Sequence, residues 1–113
     1  MPKSIRHTLI HYTDEAGIDL FGQWLESLAD VGTRATIAAR LVRLELGLFG
    51  DNKSLGEGLH ELRIDYGPGW RVYYGRQAGR VILLLAGSDK AMQKAGMKTA
   101  HKRLKNWNQR ATQ

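Results

Sequence analysis

The run Tyr66-Gly67-Pro68-Gly69 limits what this chain can fold into more than any other stretch. Proline fixes φ and glycine supplies φ > 0, so the backbone turns sharply there. Strand-forming residues lie on either side, Leu59 to Ile64 before the turn and Trp70 to Tyr74 after it. The spacing predicts a β-hairpin. Side chains alternate across a strand, so Glu61, Arg63 and Asp65 share one face while His60, Leu62 and Ile64 share the other; Arg71 and Tyr73 likewise oppose Trp70, Val72 and Tyr74. If the apolar faces are buried together, Arg63 and Arg71 emerge on the same side of the sheet. That side is where function is expected.

The rest of the chain supplies the layer that buries the hairpin. Ser4 to His11 reads as a first strand, and Thr13-Asp14 as the cap of a helix over Glu15 to Leu28, in which Ile18, Phe21, Trp24, Leu25 and Leu28 recur at steps of three and four. Past Asp30-Val31-Gly32-Thr33, a second stripe of Ile37, Leu41, Leu44 and Leu48 is interleaved with Arg34, Arg40 and Arg43, which predicts an antiparallel helical hairpin. Gly47 to Gly58 reads as a loop carrying Lys53. Val81 to Ala86 is an unbroken apolar run, a strand covered on both faces. Ser88 or Asp89 caps a final helix with a Met97, Ala100, Leu104 and Trp107 stripe. The expected fold is α+β, a single domain over residues 1–113. Its order is β-αα-βββ-α, with a helical hairpin on one face of a largely antiparallel sheet, the other face open to a ligand, and the last helix near the sheet's edge or end.

A chain of 113 residues buries a core without staples, and the absence of cysteine excludes disulfides and thiolate metal sites. His7 and His11 share a strand face, but two imidazoles without a third ligand nearby make a poor metal site, so neither metal nor cofactor is expected. No apolar run suits a signal peptide or a membrane span, which points to a soluble cytoplasmic protein. Lys plus Arg outnumber Asp plus Glu by 17 to 11, for a net charge of +6. That balance favours a polyanionic partner: nucleic acid, a ribosome or an acidic protein.

Four positions carry cations that can converge: Lys53, Arg63, Arg71 and Lys90. Adjacent strands lie roughly 5 Å apart, so Arg63 and Arg71 can share one phosphate. Such a pocket suits phosphodiester cleavage by a neighbouring 2′-hydroxyl, where cations stabilise the added charge of the transition state. Arginine cannot act as the base, which leaves Lys90 or Lys53 with a pKa lowered by neighbouring cations, or Glu61 on the Arg63 face. His60 has suitable chemistry but points with Leu62 and Ile64, as a core-edge histidine does. Glu61 and Arg63 also fit an ordinary surface pair. Lys90, Lys94, Lys98 and Lys102 recur every four residues and, with Arg103, Lys105 and Arg110, meet no acid after Asp89. They form either a solvated face or a phosphate-backbone track. The three tryptophans fit core stripes; Tyr73 shares the Arg71 face and can stack on a base.

The runs Gly50-Asp51-Asn52-Lys53, Leu55-Gly56-Glu57-Gly58, Glu61 to Tyr74, and Leu83 to Lys90 resemble the addiction-module killer branch of the RelE/ParE toxin superfamily. The likeness covers most of the chain in order and is most specific in the central segment. It implies a bacterial type II toxin with the same β-αα-βββ-α domain, held inactive by an antitoxin encoded beside it, a small helix-turn-helix protein that also brings in operator DNA. RelE-like members are metal-independent endoribonucleases that cut mRNA in the ribosomal A site with basic residues of the open sheet face. Carried over, Arg63, Arg71 and Lys90 are the catalytic residues, and Lys53 and Gln93 contact substrate; Glu61 and Tyr73 join the substrate contacts from the strand face they share with the arginines. Lys90 and Gln93 match an Asp-Lys-x-x-Gln signature. The chain departs from the family at Ala95-Gly96-Met97, where an acidic residue is usual, and has no tyrosine after Lys90. ParE-like members share the fold but poison DNA gyrase. The strand arginines and Asp89-Lys90 favour the nuclease.

Overall fold

The structure, a computed structural model, describes residues 5–111. Ser4, the first residue of the expected opening strand, lies outside them. In chain order the elements are β1 (Thr8–His11), α1 (Leu20–Ser27), α2 (Val31–Glu45), β2 (Asn52–Gly56), β3 (Leu59–Ile64), β4 (Trp70–Gln77), β5 (Val81–Asp89), a 3-10 turn (Lys90–Met92) and α3 (Gln93–Ala111). The strands form one mixed sheet in the order β1-β5-β4-β3-β2. β1 runs parallel to β5 and every other pairing is antiparallel. The fold is α+β.

Alternation assigns each strand residue to one of two apolar clusters. Leu62, Ile64, Val72, Tyr74, Ile82 and Leu84 face Phe21, Ile37, Leu41 and Leu44 of the α1-α2 hairpin. Leu59, Tyr73, Leu83, Leu85 and Ala86 face Ala100 and Leu104 of α3. The sheet is therefore covered on both faces, and the expectation of a free face with the last helix at its edge is corrected. Helix α3 has an apolar stripe too broad to leave in water, and the β4-β5 surface receives it. What remains open is the charged end of that face, beyond the first turn of α3.

Local chemistry explains the other differences. Helix α1 starts at Leu20, five residues later than expected, because the Asp14 carboxylate accepts from the N–H groups of Ala16 and Ile18 and closes a turn instead. Asp19 caps the helix by accepting from Gly22 N. Residues 52–56, expected as loop, form an edge strand joined to β3 by Glu57 and Gly58, with φ of 56° and 82°. Two central residues at positive φ are the signature of a type I′ hairpin, whose twist matches its strands.

Between Tyr73 and Tyr74 the β4-β5 ladder carries a bulge: Tyr73 pairs with Ala86 and Tyr74 with Leu84, which leaves Leu85 as the extra residue. Beyond it, Gly87 lies under the Trp24 indole, and a Cβ there would overlap the ring. Gly87→Ala is expected to cost about 1–3 kcal/mol through overpacking, read as a lowered urea midpoint. An unchanged midpoint would mean that Trp24 moves aside freely.

Candidate functional site

The register sets the charged residues in two neighbouring rows on one face of the sheet. Lys53 of β2 pairs with Glu61 of β3, Arg63 pairs with Arg71 of β4, and Arg71 pairs with Ser88 of β5. Two guanidiniums placed directly opposite each other repel. Glu61 offsets this from beneath them: its Oε1 accepts from Arg63 Nε at 3.0 Å and lies 3.9 Å from Arg71 Nε. The other carboxylate oxygen accepts from the side-chain amide of Gln93 at 2.8 Å. Exposure grades outward, with the Glu61 side chain 1% accessible, Arg71 12% and Arg63 37%. Glu61 is thus a floor, and the arginines are the wall that solvent reaches.

Arg71 is held in place but not saturated. Its Nη1 donates to the Trp70 carbonyl at 3.2 Å, while its Nε is buried with no hydrogen-bond partner. Lys90 stands beside it. A Cβ built on Gly69, which has φ of 84°, would lie 3.4 Å from Lys90 Cβ and 3.7 Å from Arg71 Nη1, so the bare backbone of the hairpin turn leaves room for the Lys90 stem on one side and the Arg71 guanidinium on the other. The 3-10 turn that presents Lys90 is capped by Asp89, whose Oδ1 accepts from Met92 N. Arg63 and Arg71 meet at one end of the sheet around one carboxylate, and the stem of Lys90 lies against the adjoining Gly69 turn. Lys53, exposed on the neighbouring edge strand opposite Glu61, adds a cation one row away.

Three substrate-contact assignments are revised by this geometry. Tyr73 is fully buried, and its hydroxyl donates to the Gln93 carbonyl and bonds Ser88 Oγ, each at 3.1 Å. Its ring lies under Gly96, so it offers no face to a base. Burial raises its pKa above the ordinary phenol value, and the Ser88 hydrogen bond opposes that shift. Gln93 donates its side-chain amide to Glu61 and accepts from Tyr73 with its backbone carbonyl; it is a positioning residue that ties the start of α3 to the sheet. Glu61, buried and committed to both arginines, positions them and does not face substrate. The sequence did not reveal Ser88 as a member of this network, because a serine at the end of an apolar run reads first as a cap.

His60 lies on the opposite face, stacked on Tyr74 with ring centroids 5.3 Å apart. Burial, with the Arg76 charge second, lowers its pKa below 6.5. The unfolded chain therefore binds this proton first as pH falls. His60 contributes stability that is fully present above about pH 6.5 and lost as pH drops toward its lower folded-state pKa. Urea midpoints measured downward from neutral pH should fall in this window for wild type, and His60→Gln should remove that part of the slope.

No group of three or more His, Cys, Asp or Glu residues is arranged to hold a metal ion among the described residues. No described helix is long and apolar enough to cross a membrane.

An uncharacterized protein of Haemophilus influenzae is 46% identical over 80 residues, which is 71% of this chain and 81% of the relative. The chain belongs to the same family as that protein. No family model matches the chain.

Proposed function

We propose that the protein is the toxin of a type II toxin-antitoxin system, a RelE/ParE-like domain that acts in the cytoplasm as a metal-independent, ribosome-dependent mRNA endoribonuclease. The supporting observation is that one buried carboxylate holds two guanidiniums on adjacent strands, with Lys90 beside the deeper of them. The described element order, β-αα-ββββ-α, is the expected order with one further edge strand. Its proposed partners are a cognate helix-turn-helix antitoxin, operator DNA through that antitoxin, and the ribosome with its mRNA.

In this reading Arg71 and Arg63 bind the scissile phosphate and stabilise the charge that builds on its oxygens. The 2′-oxygen attacks phosphorus and loses its proton to water; the bond to the 5′-oxygen breaks, and that oxygen leaves with a proton from Lys90. The products are a 2′,3′-cyclic phosphate and a 5′-hydroxyl end. Lys53 contacts the backbone on the edge-strand side.

Primer extension on ribosome-bound mRNA, run beside a gyrase supercoiling assay with the same protein, tests the proposal. Cleavage at A-site codons is the expected result. Intact mRNA together with blocked supercoiling would replace the nuclease with a gyrase poison.

A further inference from the structure

The cations of α3 divide into two sets. Arg103 and Arg110 turn inward: Arg103 Nη1 donates to the Leu85 carbonyl at 2.7 Å, Arg110 donates to the carbonyls of Thr13 and Asp14, and both guanidiniums lie over the Tyr12 ring. Their role is to fasten the helix. Lys94, Lys98, His101, Lys102 and Lys105 turn outward and are all exposed. At 100° per residue they fall within one strip of the helix surface. None of the five side chains has a hydrogen bond or ion pair to another described residue, and no Asp or Glu follows Asp89 in the sequence.

A groove of about 790 Å³ runs beside this strip, lined by His101, Lys102, Lys105 and Asn108, by the largely buried Leu104 at its base, and by Glu57 of the β2-β3 turn. From Lys94 to Lys105 the strip is about 17 Å long, the axial length of roughly five nucleotides of one strand. It begins just past Lys90, at the cationic end of the sheet.

We infer that the outer face of α3 is a docking strip for an RNA phosphate backbone, separate from the Arg63-Arg71 site and leading toward it. The chemistry of the strip selects this partner. A protein-protein interface takes its energy from buried aromatic and aliphatic anchors, and the strip has none between its lysines. Backbone binding needs only spaced cations and counterion release. It rests on the RNA-directed reading above, with the strip holding RNA backbone while the sheet end meets the scissile phosphate.

The test is equilibrium binding of a short RNA duplex to the full chain across about 50–200 mM salt, read by fluorescence anisotropy. Lys98→Gln, Lys102→Gln and Lys105→Gln together should flatten the plot of log K against log salt by about 2–3 units of slope, and the three Lys→Arg changes should keep the wild-type slope. A triple Gln variant with the wild-type slope would overturn the assignment. Binding of poly-glutamate as tight as that of RNA would also overturn it, in favour of an acidic protein partner. Because the assay reads no turnover, a wild-type protein that fails to cut ribosome-bound mRNA would refute the nuclease while leaving the strip's test intact.

Discussion

Glu61→Ala should destabilise the fold by about 3–5 kcal/mol, the cost of breaking a buried ion pair by removing one partner. Three losses coincide. Arg63 and Arg71 are left opposite each other without the carboxylate between them, the Arg71 Nε loses its nearest anion, and the Gln93 amide loses its acceptor. The Gln93 loss matters beyond its own hydrogen bond, because the same residue receives the Tyr73 hydroxyl and so anchors the first turn of α3. Glu61→Gln keeps a hydrogen-bonding side chain of the same length and should cost less than the alanine change, although the charge between the arginines is gone. Urea denaturation of the purified proteins, extrapolated linearly to water, measures both. A cost below about 1 kcal/mol for Glu61→Ala would mean that the pair behaves as a solvent-screened surface bridge.

Arg71→Ala should lower single-turnover cleavage of ribosome-bound mRNA by about 10²–10³-fold, the effect of losing one preorganised donor to a developing oxyanion. Arg71 is the deeper of the two arginines, and its Nε is buried without a hydrogen-bond partner. A donor already desolvated in the resting protein needs little reorganisation when charge builds on the phosphate. Arg71→Lys should recover little, since an ammonium lacks the planar fork that meets two phosphate oxygens. The fold should survive, because Glu61 keeps Arg63 and Gln93 as partners. A loss of less than tenfold at both Arg63 and Arg71 would remove them from the chemistry.

The hairpin was legible because its information is local: the Gly-Pro-Gly turn fixes the connection, and alternation then fixes which residues share a face. The same rule placed Arg63 and Arg71 together before any contact was visible. The start of α1 was not legible, since Asp14 and Asp19 are equally good caps in isolation. The choice is made by tertiary pairing, with Thr13 bridged to Asp19 and His11 bonded to the Asp19 carboxylate. Strand β2 was hidden because Asn52-Lys53-Ser54 is polar and exposed, so it carries no apolar alternation to detect. The stripe on α3 announces an apolar face but not its destination. The unbroken run in β5 did carry that information, since a strand apolar on both sides requires a cover on both. Within the site, the partnership of Glu61 with Gln93 joins residues 32 positions apart, and no spacing rule reaches that far.

The extra residue in β5 sets the phase of everything after it. With regular pairing past Leu84, Gly87 would sit opposite Arg71, Ser88 would turn toward the α1-α2 hairpin, and Ala86 would bring a methyl group under the Trp24 indole. The bulge acts as a half-turn in a screw: one added residue rotates the end of the strand so that serine meets tyrosine, glycine meets tryptophan, and Lys90 leaves the sheet beside Arg71. Chemistry at this end of the molecule is therefore tied to the length of β5 as much as to the identity of its residues. A chain lacking that one residue of β5 would keep every charged side chain and still present a different site.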